Sequence, residues 1–167
     1  MNHNEEKKTV RVFSLTAFLH DVGSDMVFPF WPFFVTSVLG ASASVLGFLD
    51  GLGDALVSIS QAASGYLSDK TRKRKVFIWL GYLFGAAARV GYAFSFIWQH
   101  LVPFRILDRS GKIRGAPRDA VLADVSTDAN RGKNFGFLHA MDNLGAVCGI
   151  LLALFLVRFL DLRTIFL

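Results

Sequence analysis

Three aspartates lie inside apolar runs, where an ionised group is costly. Asp21 and Asp25 are i, i+4 neighbours within His20-Asp21-Val22-Gly23-Ser24-Asp25. Asp54 belongs to a stripe of Asp50, Asp54, Ser58 and Gln61 at i, i+4, i+8 and i+11. A second set recurs on one helical face: Arg105, Asp108, Arg109 and Lys112 at i, i+3, i+4 and i+7. Arg89 stands in another apolar run, and His139, Asp142 and Asn143 share a face in the last one. Desolvation and nearby arginines act on a carboxylate in opposite senses, and a group poised between them suits proton coupling. Asp21, Asp25 and Asp54 are therefore the coupling candidates. Arg105, Asp108, Arg109, Lys112, Arg89, His139 and Asp142 are candidates to line a polar cavity, with the basic residues as partners for anions or carboxylates. Asp50 sits near the outer end of its run, where solvent can reach it. His139 and Asp142 also suit a structural role, as partners of the basic inner end of the 104–124 segment.

The elements carrying these residues belong in lipid. The 167 residues are 53% hydrophobic with a mean hydropathy of +0.43, and a soluble domain of that length would need more polar surface. The single cysteine, Cys148, excludes an internal disulfide. His3, His20, His100 and His139 are scattered and give no metal-ligand spacing. Paired acids could hydrolyse a bond, but no nucleophile motif or phosphate loop accompanies them, so neither an enzyme nor a cofactor is expected. Ala41-Ser42-Ala43 looks like a signal-peptide cleavage site. The run before it is too long for one and is interrupted by Asp21, Asp25, Pro29 and Pro32, so it reads as a retained span.

Five of the six residues 70–75 are basic, between two membrane-length apolar runs. Such a cluster anchors topology on the cytoplasmic side and needs no nucleic acid to explain it. Span 1 is expected over about 12–39, span 2 over 45–67, span 3 over 76–98 and span 5 over 135–159, each near or above the roughly 20 residues a crossing requires. Residues 104–124 are too charged to insert alone. If 99–134 did not cross, Arg105, Arg109, Lys112, Arg114, Arg118, Arg131 and Lys133 would all lie outside, against the positive-inside bias. A shielded span 4 is therefore expected there, with Arg105 and Arg109 facing water. Pro29 and Pro32 should bend span 1, and Pro117 should bend span 4. Gly47/Gly51, Gly81/Gly85 and Gly145/Gly149 are small-xxx-small pairs for close helix packing.

Gly65-Tyr66-Leu67-Ser68-Asp69 and the following Lys73-Arg74 resemble a signature of the major facilitator superfamily, Gly-x-Leu-(Ser/Ala)-Asp-x-x-Gly-Arg-(Arg/Lys). Arg72 stands where that signature has its glycine. Residues 105–149, with Arg105-Ile-Leu-Asp-Arg109, Gly115-Ala-Pro-Arg-Asp119, Arg131-Gly-Lys-Asn-Phe-Gly136 and Asp142-Asn-Leu-Gly145, resemble span 4, the inner loop and span 5 of a prokaryotic permease subgroup with largely unassigned substrates. Many relatives have Gly-Lys-Gly-Ile-Arg where this chain has Gly111-Lys112-Ile113-Arg114. One residue fewer turns a helix by about 100°, so roles transfer to Arg105 and Arg109 before Arg114 or Arg118. The resemblance puts the superfamily's span 4 arginine, tied to proton coupling in antiporters, on Arg105, with Arg109 as the alternative. It makes Gly65, Asp69, Lys73 and Arg74 part of a cytoplasmic gate.

The expected fold is an all-α polytopic membrane helix bundle, an N-terminal half with about five spans and the start of a sixth at 163–167. Residues 1–11 form a cytoplasmic segment, and 12–167 an incomplete transmembrane domain. The resemblance implies a secondary active transporter moving a small solute by alternating access, coupled to a proton or other ion gradient. The place would be the inner (plasma) membrane, with lipid around it and the N-terminus cytoplasmic. The alternative is a non-transporting fragment or interaction subunit that needs a separate C-terminal half. On either reading the 167 residues alone are not expected to transport, because the cavity face would lack its opposite wall.

Overall fold

A computed structural model describes residues 3–160 and 164, which contain helices and no strand. The α-helices are α1 (His3–Asp25), α2 (Trp31–Phe33), α3 (Ala43–Thr71), α4 (Arg74–Ala93), α5 (Leu101–Ser110), α6 (Gly115–Val125) and α7 (Arg131–Leu156). Of these, α3, α4 and α7 are long and apolar enough to cross a membrane. The described residues divide into two compact units: residues 3–29 with 119–160, and residues 30–118. The expected start of a sixth span lies outside the described residues except for Thr164.

Prolines account for the end of α1 and for three 3-10 turns. A proline at position i removes one N–H and clashes with the carbonyl of residue i−4. The chain has four. Four residues before Pro29 is Asp25, the last residue of α1; four before Pro32 is Phe28, where the 3-10 turn Phe28–Phe30 starts. The same offset from Pro103 falls in the 3-10 turn Trp98–His100, and from Pro117 in the 3-10 turn Gly111–Arg114. Span 1 is thus broken rather than bent, passing through 3-10, α and π turns to Val38. Span 4 is interrupted one turn before Pro117.

In the first unit α1 and α7 pack side by side. Glu6 meets Asn130 and Asn134, Phe18 and Asp21 meet Gly145, and Val22 meets Gly149. Contacts that advance together along both chains mean parallel helices. The glycines make the approach possible: a Cβ at 145 would lie 2.6 Å from the Phe18 carbonyl oxygen. Val10, Ala17, Leu122 and Leu138 form the core beneath. The α1 helix runs straight through residues 3–11 and buries Glu6. Glu6 Oε1 accepts from Asn130 Nδ2 at 2.6 Å and Asn134 Nδ2 at 2.8 Å. The polar sequence hid this because the contact is made by amides, not by apolar side chains.

In the second unit, residues 101–118 lie along both α3 and α4. Phe104 packs on Gly91, Gly111 on Gly85, and Gly111 with Arg114 on Gly81, so this segment is antiparallel to α4. Arg105 reaches Asp50 and Gly53, Gly115 reaches Gln61, and Ala116 reaches Gly65, so it is parallel to α3. Asp50 to Gly65 rises about 22 Å along a helix, most of a hydrocarbon core of about 30 Å. A segment lying along two crossing helices for that distance crosses with them. The parallel α1–α7 pair asks for the same thing, since an odd number of crossings must separate them. The Gly81/Gly85 and Gly145/Gly149 pairs are used in packing, whereas nothing lies within 4 Å of a Cβ at Gly47 or Gly51.

Two residues join α3 to α4. Arg72 takes φ 55°, the left-handed conformation that the signature's glycine would adopt. The tight turn forms with an arginine, at a cost of about 1–2 kcal/mol relative to an unstrained residue.

Replacing Arg72 by Gly should raise stability by about 1 kcal/mol, read as a higher unfolding midpoint in detergent. A lowered midpoint would contradict the assigned turn. Gly145→Val should destabilise by about 1–3 kcal/mol through forced separation of α1 from α7. An unchanged midpoint would mean that the two helices do not meet there.

Candidate functional site

Arg105 is the best-shielded cation of the second unit, only 6% exposed. Each neighbouring element contributes one contact. From α3, the Asp50 carboxylate pairs with its guanidinium. From α2, the Trp31 indole lies flat against it, 4.3 Å to the ring centroid, a cation–π contact. Trp31 Nε1–H also donates to the same Asp50 oxygen at 3.0 Å. From α4, Tyr92 closes the aromatic side, with ring centroids 5.3 Å from Trp31 and 6.5 Å from Phe104. Gly53 completes the site by absence: a Cβ there would sit 3.2 Å from Nε of both Arg105 and Arg109. Two long cationic side chains therefore cross α3 at its one gap.

Asp50 is 44% exposed at its side chain, so it is reachable where Arg105 is not. Arg109 Nε lies 3.8 Å from Asp108 Oδ2, beyond hydrogen-bonding range. Among the described residues, Nε of Arg105 and Nε of Arg109 are both buried without a hydrogen-bond acceptor. Guanidinium presents five donors in a fixed fork, and here two inward N–H groups have no protein oxygen to use. The arrangement can hold a carboxylate in Asp50 and still offer donors to a further anionic or carbonyl oxygen.

Nine residues further along the same segment, Arg114 is buried over the Tyr82 ring at 5.1 Å and donates to the Gly111 carbonyl at 3.0 Å. Its place bears on the missing residue in Gly111-Lys112-Ile113-Arg114. That stretch is a 3-10 turn. Four 3-10 residues turn the chain by about 480° and raise it by about 8 Å; five α-helical residues give about 500° and 7.5 Å. The two windings differ little in total turn and rise, so a 3-10 turn of four residues can stand where an α-helical stretch has five.

The other sequence candidates fall as follows. Asp54 and Ser58 are exposed on α3, with Ser58 Oγ donating to the Asp54 carbonyl at 3.1 Å. The polar stripe thus divides, with Asp50 turned in and Asp54 out. Arg89, Asp108 and Lys112 are partly buried. Asp21 and Asp25 are partly buried on α1 of the first unit, where Ser24 Oγ and His20 Nε2 are 3.1 Å apart. On α7, His139 Nδ1 lies 3.6 Å from Asp142 Oδ2, and Asn143 Nδ2 donates to the His139 carbonyl. In the gate motif, Arg74 reaches Asp69 at 3.1 Å, a Cβ at Gly65 would sit 3.4 Å from that of Ala116, and Lys73 is exposed.

The expectation that Arg105 faces water is overturned: protein groups cover it on every side that contacts α2, α3 and α4. Sequence reasoning missed Asp50, Trp31 and Tyr92. Counting inward from the two outer helix ends would have found the first, since Asp50 and Arg105 then lie at similar depth. No comparable signal marks Trp31 or Tyr92.

A double-mutant cycle on Asp50→Asn and Arg105→Gln should give a coupling of about 1–3 kcal/mol, below that of a fully buried pair because Asp50 is half exposed. Additive effects on the unfolding midpoint would show that the two residues do not pair.

Comparison with known proteins matches this bundle. The family model of the Major Facilitator Superfamily covers residues 13–167. An uncharacterized MFS-type transporter of Methanocaldococcus jannaschii is 40% identical over 161 residues, 96% of this chain and 40% of that protein. An uncharacterized protein of Mycobacterium tuberculosis is 29% identical over 120 residues, 66% of this chain and 27% of its own. An uncharacterized MFS-type transporter of Bacillus subtilis is 26% identical over 139 residues, 80% and 33% respectively. The chain spans less than half the length of each of these relatives. A bundle of membrane-length helices, a charged fourth span shielded between two of them, and a family match over almost every residue lead to one conclusion: the chain is a multi-pass membrane protein and belongs to the major facilitator superfamily.

Proposed function

We propose that these residues form the N-terminal helices of a secondary active transporter, which moves a small solute by alternating access and is driven by a proton gradient. The working unit includes a C-terminal half; the greater length of the relatives supports that. One observation carries the reading: a buried arginine, held by a single reachable carboxylate between crossing helices, keeps an unused buried N–H donor.

The chemistry follows from what each partial event would cost. Protonating Asp50 alone leaves Arg105 buried and unpaired, at about 3–5 kcal/mol. An anionic or carbonyl group of a solute that takes the place of the half-exposed Asp50 carboxylate on the Arg105 guanidinium offsets that cost. Proton and solute therefore favour each other's binding, and this reciprocal dependence is what coupling means thermodynamically. Asp54 on α3 and, separately, Asp21 and Asp25 on α1 are the further candidates for proton coupling. Asp108, Lys112 and Arg89 are the further solute-binding candidates of the second unit, and His139 and Asp142 those on α7. The Asp69–Arg74 pair with Gly65 and Lys73 serves the cytoplasmic gate.

In this reading the N-terminus and the 72–73 and 126–130 connections are cytoplasmic at the inner membrane, while 40–42 and 94–97 are outside. Labelling of single cysteines in a Cys148→Ala background checks it: residues 72 and 131 should react only from the cytoplasmic side. Reaction at either from outside would reverse the topology.

The complete transporter carrying Asp50→Asn, in liposomes, should lose accumulation driven by a pH gradient and keep solute counterflow. Undiminished gradient-driven accumulation by Asp50→Asn, with loss in Asp25→Asn or Asp54→Asn, would move the coupling site away from Arg105.

A further inference from the structure

We propose that the turn between α3 and α4 binds the phosphate headgroup of an anionic lipid, with Arg72, Lys73 and Lys75 as its cations. The proposal rests on reading the chain as membrane-crossing, and not on which solute or ion it moves.

Basic residues with a carboxylate partner contrast with three at the turn. Arg105 is held by Asp50, and Arg74 by Asp69 at 3.1 Å. Arg72, Lys73 and Lys75 are exposed and, among the described residues, make no ion pair. The nearest acid, Asp69, is already taken by Arg74. Three like charges within four residues repel one another, and none of the three is paired among the described residues.

A topology anchor needs charge but no particular backbone. Here the backbone is specific. Arg72 holds φ 55°, a conformation in which glycine is free of strain and arginine is not. The turn forgoes glycine for a cation, so the cation has a use that the turn itself does not supply.

Two exposed aromatics give the depth of the site. Tyr66 is 67% exposed one turn before Lys70, whose ammonium lies over the ring at 5.9 Å from the centroid. Trp79 is 66% exposed one turn after Lys75. Exposed Tyr and Trp just inside basic residues mark the membrane–water boundary. That places residues 72–75 at the level of the headgroups rather than out in the water. The ligand chemistry follows: a guanidinium fork takes two phosphate oxygens, and the lysines add point charges. A zwitterionic headgroup would bring its own cation into this cluster, so an anionic one fits better.

The test uses the purified protein in neutral detergent, with bound lipid counted by native mass spectrometry and stability read from the unfolding midpoint. Phosphatidylglycerol should be retained at least about tenfold better than phosphatidylcholine and should raise the midpoint more. The decisive variant is Arg72→Gly, which keeps the turn and removes the cation; it should fold at least as well and lose much of the preference. Arg72→Gln with Lys73→Gln and Lys75→Gln should abolish it. Equal retention of the two lipids, or a full preference in Arg72→Gly, overturns the proposal. So does an equal midpoint shift with inorganic phosphate alone, which would make this a site for free phosphate.

Discussion

A guanidinium cannot sit in hydrocarbon uncompensated, and the second unit is built around that constraint. Arg105 gets its counter-charge from α3, its flat cover from the broken segment after α1, and its outer wall from α4. Each contact requires a small residue somewhere: Gly53 under the two arginines, Gly91 under Phe104, Gly81 and Gly85 where the fourth span narrows. The glycines bring backbones close enough for side chains of one helix to end on the next. Without that approach the charged segment would have to meet lipid, at several kcal/mol for each charge.

Proline sets the other half of the geometry. The clash four residues upstream ends α1 at Asp25, and the turns that follow place Trp31 on Arg105. The same clash from Pro117 tightens Gly111–Arg114 into a 3-10 turn, from which Arg114 lies over Tyr82. Helix breaks and buried cations are thus one arrangement. The residues that interrupt the regular hydrogen bonding are those that aim the polar groups.

Much of this was legible beforehand. Apolar run length alone places α3, α4 and α7. Charge bookkeeping across the loops asks for a further helical segment at 101–118, which hydropathy denies and the packing along α3 and α4 supplies. What stayed hidden depends on contacts between distant residues. Asp50 reads as a solvated helix end because nothing local reveals the arginine opposite. Residues 3–11 read as a polar tail because amides, not apolar groups, bind Glu6. Arg72 occupies a glycine conformation that sequence pattern disfavours. In each case local preference is outweighed by a partner that is remote along the chain.

The central claim is that residues 101–118 cross as a helix lying along α3. Gly65 and Ala116 test it at the end far from Arg105. A Cβ at 65 would lie 3.4 Å from that of Ala116, close to the 3.5–4.5 Å spacing of roughly ideal disulfides. Cysteines at 65 and 116, in a Cys148→Ala background and isolated membranes, should join on mild oxidation and be recovered as one cross-linked peptide by mass spectrometry. If they stay unlinked and residue 116 is labelled from the side that carries Trp98, the segment does not cross and Arg105 is not held where the account places it.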